Sequence, residues 1–256
     1  MAIYLLKRSY QLKNLQEVDF KDLWGDHGIF TTMWIFGKPP KILFFKNHIK
    51  NLIKSLKIYG VKKKTLEQDI LKIINTNLVK RKSYNHLLRI ALNKKIISIS
   101  LRKRLTPKLD FNLKLVKLKR EKPKFKNLKY KKILSHLIKM DNSRSDIGLV
   151  YKKKILESGT SNLLFIKDNK IFTPKKGYYE GNTFKFFKTK IKIIKKDIFI
   201  NELNQYDEII LIGSGKGVAS VKTINKIRWK RKNLNQFKNF SKYYRTAINK
   251  CNFYRF

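Results

Sequence analysis

The sequence predicts a mixed α+β protein in two parts. Three observations carry this. Stretches with helical spacing alternate with strand-like runs. The strand-like runs come mostly as hairpin pairs, which argues against a doubly wound parallel sheet. The chain has 256 residues, 42% of them hydrophobic, enough for one large core or two smaller ones. The division expected is a small N-terminal α+β domain over 1–104, a linker and entry strand over 105–124, and a larger C-terminal domain over 125–256 built of mixed or antiparallel sheet with helices.

The elements follow in order. Ile49, Leu52, Ile53 and Leu56 recur at helical spacing, so 46–59 reads as a helix stopped by Gly60. Thr65-Leu-Glu-Gln68 has a capping-box pattern and opens a second helix to about Val79. The period then changes to that of strands. His86–Leu92 and Ile96–Leu101 read as a pair joined by Asn93-Lys-Lys95, and Leu113–Leu118 as a third strand. Arg102–Lys108, with Pro107, is the linker. A helix is expected over 128–140 with Tyr130, Ile133, Leu134, Leu137 and Ile138 inward. Strands follow at 147–151, 162–167 and 170–173, the last two joined by a tight turn at Asp168-Asn169. Lys152-Lys-Lys154 reads as a turn. A helix is expected over 181–190. The apolar strand Glu208–Ile212 ends in Gly213-Ser-Gly-Lys-Gly217, and the chain continues extended to Ile224. A last helix covers 234–249.

Composition narrows the function classes. There are 61 Lys+Arg against 17 Asp+Glu, a formal net charge of +44. Such charge ordinarily suggests nucleic acid. Here the lysines are spread over nearly every segment among Ile and Asn, the pattern of an AT-rich genome writing weakly constrained surface positions, so a nucleic-acid partner is not expected. The single cysteine, Cys251, excludes an internal disulfide and a thiolate zinc cluster. No run approaches the roughly 18 apolar residues of a membrane span, and the start is too short in apolar residues for a signal peptide. A soluble cytoplasmic protein is expected.

Acids are scarce, which singles out Glu157. It lies in Ile155-Leu-Glu-Ser-Gly-Thr-Ser-Asn-Leu-Leu-Phe165, between an apolar pair and a small polar turn. A carboxylate at the mouth of a buried strand is costly unless a cationic group meets it. Gly213-Ser-Gly-Lys-Gly217 invites a phosphate-loop reading but lacks the Walker pattern and the helix that should follow, and it lacks the βαβ frame of a dinucleotide fingerprint. A strand ending in glycines and a serine still exposes backbone N–H groups that can cradle an anion.

Taken in order, Lys126 in Phe125-Lys-Asn-Leu-Lys-Tyr130, Glu157–Phe165, Ile171-Phe-Thr-Pro174, Tyr179-Glu-Gly-Asn-Thr183 and Gly213–Val218 resemble the fold-type IV pyridoxal-phosphate enzymes. These are the class IV aminotransferase family, with branched-chain and D-amino-acid aminotransferases and aminodeoxychorismate lyase. The resemblance covers roughly 24–224. It implies a two-domain fold-type IV architecture with 125–256 as the cofactor-binding domain, pyridoxal 5'-phosphate as cofactor, a small amino substrate and a homodimer. It also implies roles. Lys126 matches the lysine that forms the Schiff base and moves the proton at Cα. Tyr130 matches the tyrosine bonded to the cofactor's phenolic oxygen. Glu157 matches the glutamate at the pyridine nitrogen, so its partner would be the cofactor ring and none of the basic side chains. Thr183 with the backbone of Asn182, and Ser214 with the N–H of Gly215, match the phosphate cradle. Tyr179 falls where the family usually has a leucine against the ring.

Two departures matter. The family's His-x-x-Arg-Leu helix motif is His48-Ile-Lys-Asn51-Leu here, so Asn51 replaces a phosphate-binding arginine, and either Lys50 or Lys54 substitutes or phosphate binding is weaker. The family's Gly-Asp-Gly-x-Phe-Glu-Thr is Asp26-His-Gly-Ile-Phe-Thr-Thr32. Thr31 in place of Glu resembles the lyases, and His27 and Thr31 become candidates for contacting substrate. Within the family the leading expectation is aminodeoxychorismate lyase, which releases pyruvate and 4-aminobenzoate for folate synthesis. A branched-chain or D-amino-acid aminotransferase is the alternative, and a non-catalytic basic relative is the third.

Overall fold

The computed structural model describes residues 4–255 and divides into two compact units. The first takes the described residues up to Arg104, together with Phe125–Lys131 and Lys250 onward. Its six-stranded sheet is formed by β1 (Tyr4–Gln11), β2 (Glu17–Val18), β3 (Ile29–Gly37), β4 (Lys41–Ile42), β5 (Tyr84–Leu92) and β6 (Ile96–Lys103), in the order β2-β1-β6-β5-β3-β4. All of its pairings are antiparallel. Helices α1 (Phe45–Ile58) and α2 (Leu66–Asn77) contribute Ile49, Leu52, Leu56, Ile70 and Ile74 to one core with Met33, Ile35, Leu88 and Ile90 of the sheet.

The second unit takes Leu105–Lys124 and Lys132–Asn249. In chain order it comprises β7 (Phe111–Lys117), α3 (Lys131–Leu137, whose first residue belongs to the other unit), β8 (Ser145–Tyr151), β9 (Lys154–Ser158), β10 (Asn162–Lys167), β11 (Lys170–Pro174), α4 (Asn182–Lys188), β12 (Ile193–Lys196), β13 (Ile198–Phe199), β14 (Glu208–Gly213), β15 (Gly217–Ile224), β16 (Ile227–Lys230) and α5 (Asn235–Asn249). A ten-stranded sheet runs β12-β11-β10-β14-β15-β7-β8-β9-β13, with β16 beside β15. It is mixed: β7 runs parallel to both β15 and β8, whereas β10, β14 and β15 are antiparallel neighbours. Leu163–Ile166 and Ile209–Ile212 are buried without interruption, as expected of strands covered on both faces. Glu208 accepts hydrogen bonds from the N–H groups of Gln236 and Phe237 at 2.8 and 2.9 Å. That carboxylate satisfies the start of α5, where backbone donors are otherwise unpaired.

Several expectations need adjustment. The segment 105–124, expected as a linker and entry strand, carries its strand at Phe111–Lys117, close to the 113–118 expected, and that strand lies inside the larger sheet. Residues 125–131, expected in the C-terminal domain, lie instead along the start of β3: Phe30 N–H donates to Lys126 O and Leu128 N–H to Gly28 O, both at 2.9 Å. The third helix spans only Lys131–Leu137; it cannot start earlier because the backbone groups of Lys126 and Leu128 are committed to Phe30 and Gly28. Ile138, expected inward, is exposed. The expected capping box is absent, since Thr65 Oγ1 bonds Asp69 Oδ2 at 3.0 Å and caps no N–H. β1 to β4, β9, β12, β13 and β16 are not among the expected strands. Lys152 and Lys153 do turn, both at positive φ, but Lys154 already belongs to β9. The expected turn at Asp168-Asn169 is present, with both residues at positive φ, the geometry that suits the twist of a hairpin.

Candidate active site

In the first unit, Lys126 is held by its backbone. The bonds from Phe30 and Leu128, with Gly25 N–H donating to Leu128 O at 2.8 Å, pin 125–130 to the mouth of β3. Gly28 is required here, because a Cβ at that position would sit 2.1 Å from Leu92 O. The half-buried Lys126 side chain places Nζ 5.2 Å from the centre of the Phe30 ring, a cation–π distance. Tyr130 is buried, stacked on Trp24 at 5.5 Å and edge-on to Phe30 at 5.6 Å. Trp24 also carries the Arg89 guanidinium over its face at 3.7 Å. Arg89 reaches Asp22 Oδ1 at 3.2 Å and donates to Asp22 O at 2.5 Å. Burial lowers Arg89 to about 10, with the Asp22 charge opposing.

Thr31 is buried on β3, its Oγ1 at 2.7 Å from Nδ1 of His48 on α1. Burial, and next the charge of Lys126, push His48 down to about 3. The imidazole is therefore neutral at physiological pH and adds no positive charge beside Lys126. His27 is exposed and stacks on Tyr59 at 4.7 Å. Asn51 is half-buried, and Lys50 and Lys54, the two lysines considered as substitutes for the family arginine, are exposed.

In the second unit the sequence reading of Glu157 requires correction. Its carboxylate is 3% exposed and lies 2.8 Å from Nε of Arg120, itself 4% exposed. The approach is oblique, too bent for a straight N–H···O bond, so the attraction is mainly that of two buried opposite charges. Oε2 accepts a long bond from Tyr179 N–H at 3.3 Å. A basic side chain therefore does meet Glu157. Arg120 escaped the sequence reading because nothing separates it by type or spacing from the other basic residues of its loop. Burial raises the Tyr179 hydroxyl, and the charge of Arg120 opposes that shift.

Around this pair the turn residues interlock. Asn162 donates to Tyr179 O at 2.7 Å and accepts from Gly181 N–H at 3.2 Å, which fixes the chain entering α4. Asn182 and Thr183 are buried at the start of α4. Thr183 Oγ1 lies 3.3 Å from Ser214 Oγ. Ser214 and Gly215, both half-buried, are on the three-residue turn between β14 and β15, where Gly213 pairs with Gly217. Gly213 permits the approach, since a Cβ there would be 2.9 Å from Ser161 Oγ. The second unit thus gathers Glu157, Tyr179, Asn182, Thr183, Ser214 and Gly215 of the expected residues, and the first unit gathers Lys126, Tyr130 and Thr31. Arg120, Trp24 and Arg89 are additions from the structure. The described residues offer no metal-binding group of His, Cys, Asp and Glu, and no helix long and apolar enough to cross a membrane.

Comparison with known proteins adds an independent line. The family model described as amino-transferase class IV matches residues 28–224. No curated protein sequence matches the chain. Among solved structures, the branched-chain aminotransferase of Thermoproteus uzoniensis with norvaline superposes with a TM-score of 0.77 at 15% identity, over 98% of this chain and 96% of that one. A putative 4-amino-4-deoxychorismate lyase from Legionella pneumophila gives 0.67 at 17% identity, over 86% and 91%. The PLP-bound form of a hypothetical aminotransferase from Mycobacterium tuberculosis gives 0.67 at 13%, over 95% and 99%.

Proposed function

Since the chain belongs to the class IV aminotransferase family and is accordingly a pyridoxal-phosphate-dependent lyase or aminotransferase, we propose that it is an aminodeoxychorismate lyase, converting 4-amino-4-deoxychorismate to 4-aminobenzoate and pyruvate in folate synthesis. The observation that carries the choice is Thr31. It occupies the place of the family's glutamate, and its hydroxyl is engaged with a neutral His48. The second reading is a branched-chain or D-amino-acid aminotransferase, favoured by the higher TM-score of the branched-chain enzyme. A soluble cytoplasmic homodimer belongs to either reading.

The donor set suits the cofactor. Pyridoxal phosphate supplies an electron sink for charge developing at the carbon that bears the amine. Lys126 is the residue we assign to attach it and to take and return the proton at that carbon. Glu157 would hold a proton on the ring nitrogen, because a carboxylate there favours the charged form. Arg120 serves by keeping that carboxylate fixed, at the cost of sharing its charge. Thr183 and Ser214 offer hydroxyls, and Asn182 and Gly215 offer backbone N–H groups, the neutral donors that recognise a phosphate specifically. Tyr130 is assigned to the cofactor's phenolic oxygen and Tyr179 to contact with its ring.

The test has two parts. Purified protein incubated with pyridoxal phosphate should absorb at the visible edge, borohydride should fix the label on Lys126, and Lys126→Ala should lose the band. Incubation with aminodeoxychorismate should then release 4-aminobenzoate, while leucine with 2-oxoglutarate should give no glutamate. Glutamate from the second mixture alone would move the assignment to the aminotransferase, and product from neither would sink both substrates.

A further inference from the structure

The most deeply buried ion pair left unused above lies in the second unit. Asp146, at the start of β8, is fully buried, and Lys216 Nζ reaches its Oδ2 at 3.5 Å with the lysine side chain only 6% exposed. The same Oδ2 accepts from Thr160 Oγ1 at 2.6 Å and from Ser158 Oγ at 3.1 Å, while Oδ1 accepts from Ile147 N–H at 2.8 Å. Lys216 also lies over the Phe111 ring at 4.5 Å and reaches Asn142 O at 3.4 Å. One carboxylate therefore ties two turns together: 158–161, which follows Glu157, and 213–217, which carries Ser214 and Gly215. No room is left for slippage, since a Cβ on Gly159 would come within 2.9 Å of Asp146 Oδ1.

A buried ion pair is a poor source of net stability, because apolar residues of similar volume often serve as well or better. Its direction here suggests another use. Lys216 sits between glycines on a three-residue turn, yet its charge is drawn inward and neutralised by Asp146. Ser214 and Gly215 beside it stay half-buried, with Ser214 Oγ 3.3 Å from Thr183 Oγ1. We infer that Asp146 and Lys216 are a positioning pair that shapes the 213–217 turn to receive a phosphate monoester. This rests on the pyridoxal-phosphate reading above.

The experiment compares binding of pyridoxal 5'-phosphate with that of pyridoxal, which lacks the phosphate, by absorbance titration. The proteins compared are the unmodified chain, Lys216→Met, Lys216→Arg and the double variant Asp146→Asn/Lys216→Met, which buries no charge. Lys216→Met and the double variant should weaken pyridoxal phosphate about tenfold or more and pyridoxal by less than about twofold. Lys216→Arg should recover most of the loss. The double variant should melt close to the unmodified protein, which separates a misplaced turn from a misfolded one. Equal weakening of both ligands, or no change in either, overturns the inference while leaving the cofactor reading intact. An unmodified chain that binds pyridoxal phosphate no better than pyridoxal overturns both.

Discussion

The two units bury charge in different ways. In the second, each deeply buried cation has a carboxylate of its own: Arg120 has Glu157 and Lys216 has Asp146, with all four side chains at 6% exposure or less. In the first, Arg89 rests on Trp24 and Lys126 lies over Phe30, whereas Lys216 of the second unit has the Phe111 ring in addition to its carboxylate. The carboxylate facing Arg89 belongs to Asp22, whose side chain is 56% exposed. A full ion pair immobilises both partners and shares their charge between them. A ring face lowers the cost of burying a cation without consuming it. The ring face suits the lysine we assign to the cofactor, and the ion pair suits a carboxylate and a turn that must hold still.

The contrast predicts unequal costs, and the largest falls on Arg120. Arg120→Leu strands the Glu157 carboxylate in an apolar setting, which should cost about 3–5 kcal/mol of unfolding free energy. The double variant Arg120→Leu/Glu157→Leu removes both charges and should recover most of that loss. Urea unfolding of the two variants measures the difference. Equal destabilisation would mean that packing, and not the pairing of charge, sets the value of this site.

Glu157 also shows how far the sequence could be read. Its burial and the polar turn after it were legible because an acid among so many bases, set between apolar residues, has few places to be. Its partner was not legible, because Arg120 is one of 61 basic residues, and only the pairing of β7 with β8 and of β8 with β9 carries the residues after β7 towards Glu157. The same holds for strands. Leu163–Ile166 and Ile209–Ile212 declare themselves by unbroken apolar runs, whereas β9 and β12 span only five and four residues and show no alternation. Tyr130 was placed on a helix by spacing alone, while backbone bonds from β3 to the residues just before it hold that segment extended. Local pattern reports burial well and reports long-range pairing poorly, since pairing depends on residues far away in the chain.

A smaller cost is expected at Arg89. Arg89→Leu gives up the contact with Trp24 and the link to Asp22, but Asp22 stays hydrated, and Nε of Arg89 has no acceptor among the described residues. Removing that donor returns part of what is lost. A net loss of about 1–2 kcal/mol follows, measured by the same urea titrations. A loss as large as that of Arg120→Leu would show that the aromatic bed is as demanding as an ion pair, and the distinction between the units would fail.

The smallest effect concerns His48, and it is visible only as a slope with pH. The ring is neutral in the fold and pushed down to about 3, by burial first and by Lys126 second, whereas an unfolded histidine titrates near 6.5. Between those values the unfolded chain binds a proton that the folded chain refuses, so stability contributed above about pH 6.5 is lost as the pH falls. The loss between about pH 7 and 5.5 should be roughly 1 kcal/mol. His48→Gln keeps a hydrogen-bonding group near Thr31 but cannot take up a proton, and its unfolding free energy should fall less over the same interval. Comparing the slopes of the two proteins cancels every other titrating group they share. Identical slopes would mean that His48 takes up its proton in the fold over the same range as in the unfolded chain, so that it charges as the pH falls below about 6.5. A second positive charge would then stand beside Lys126, and the first unit would not be keeping that surrounding free of competing charge.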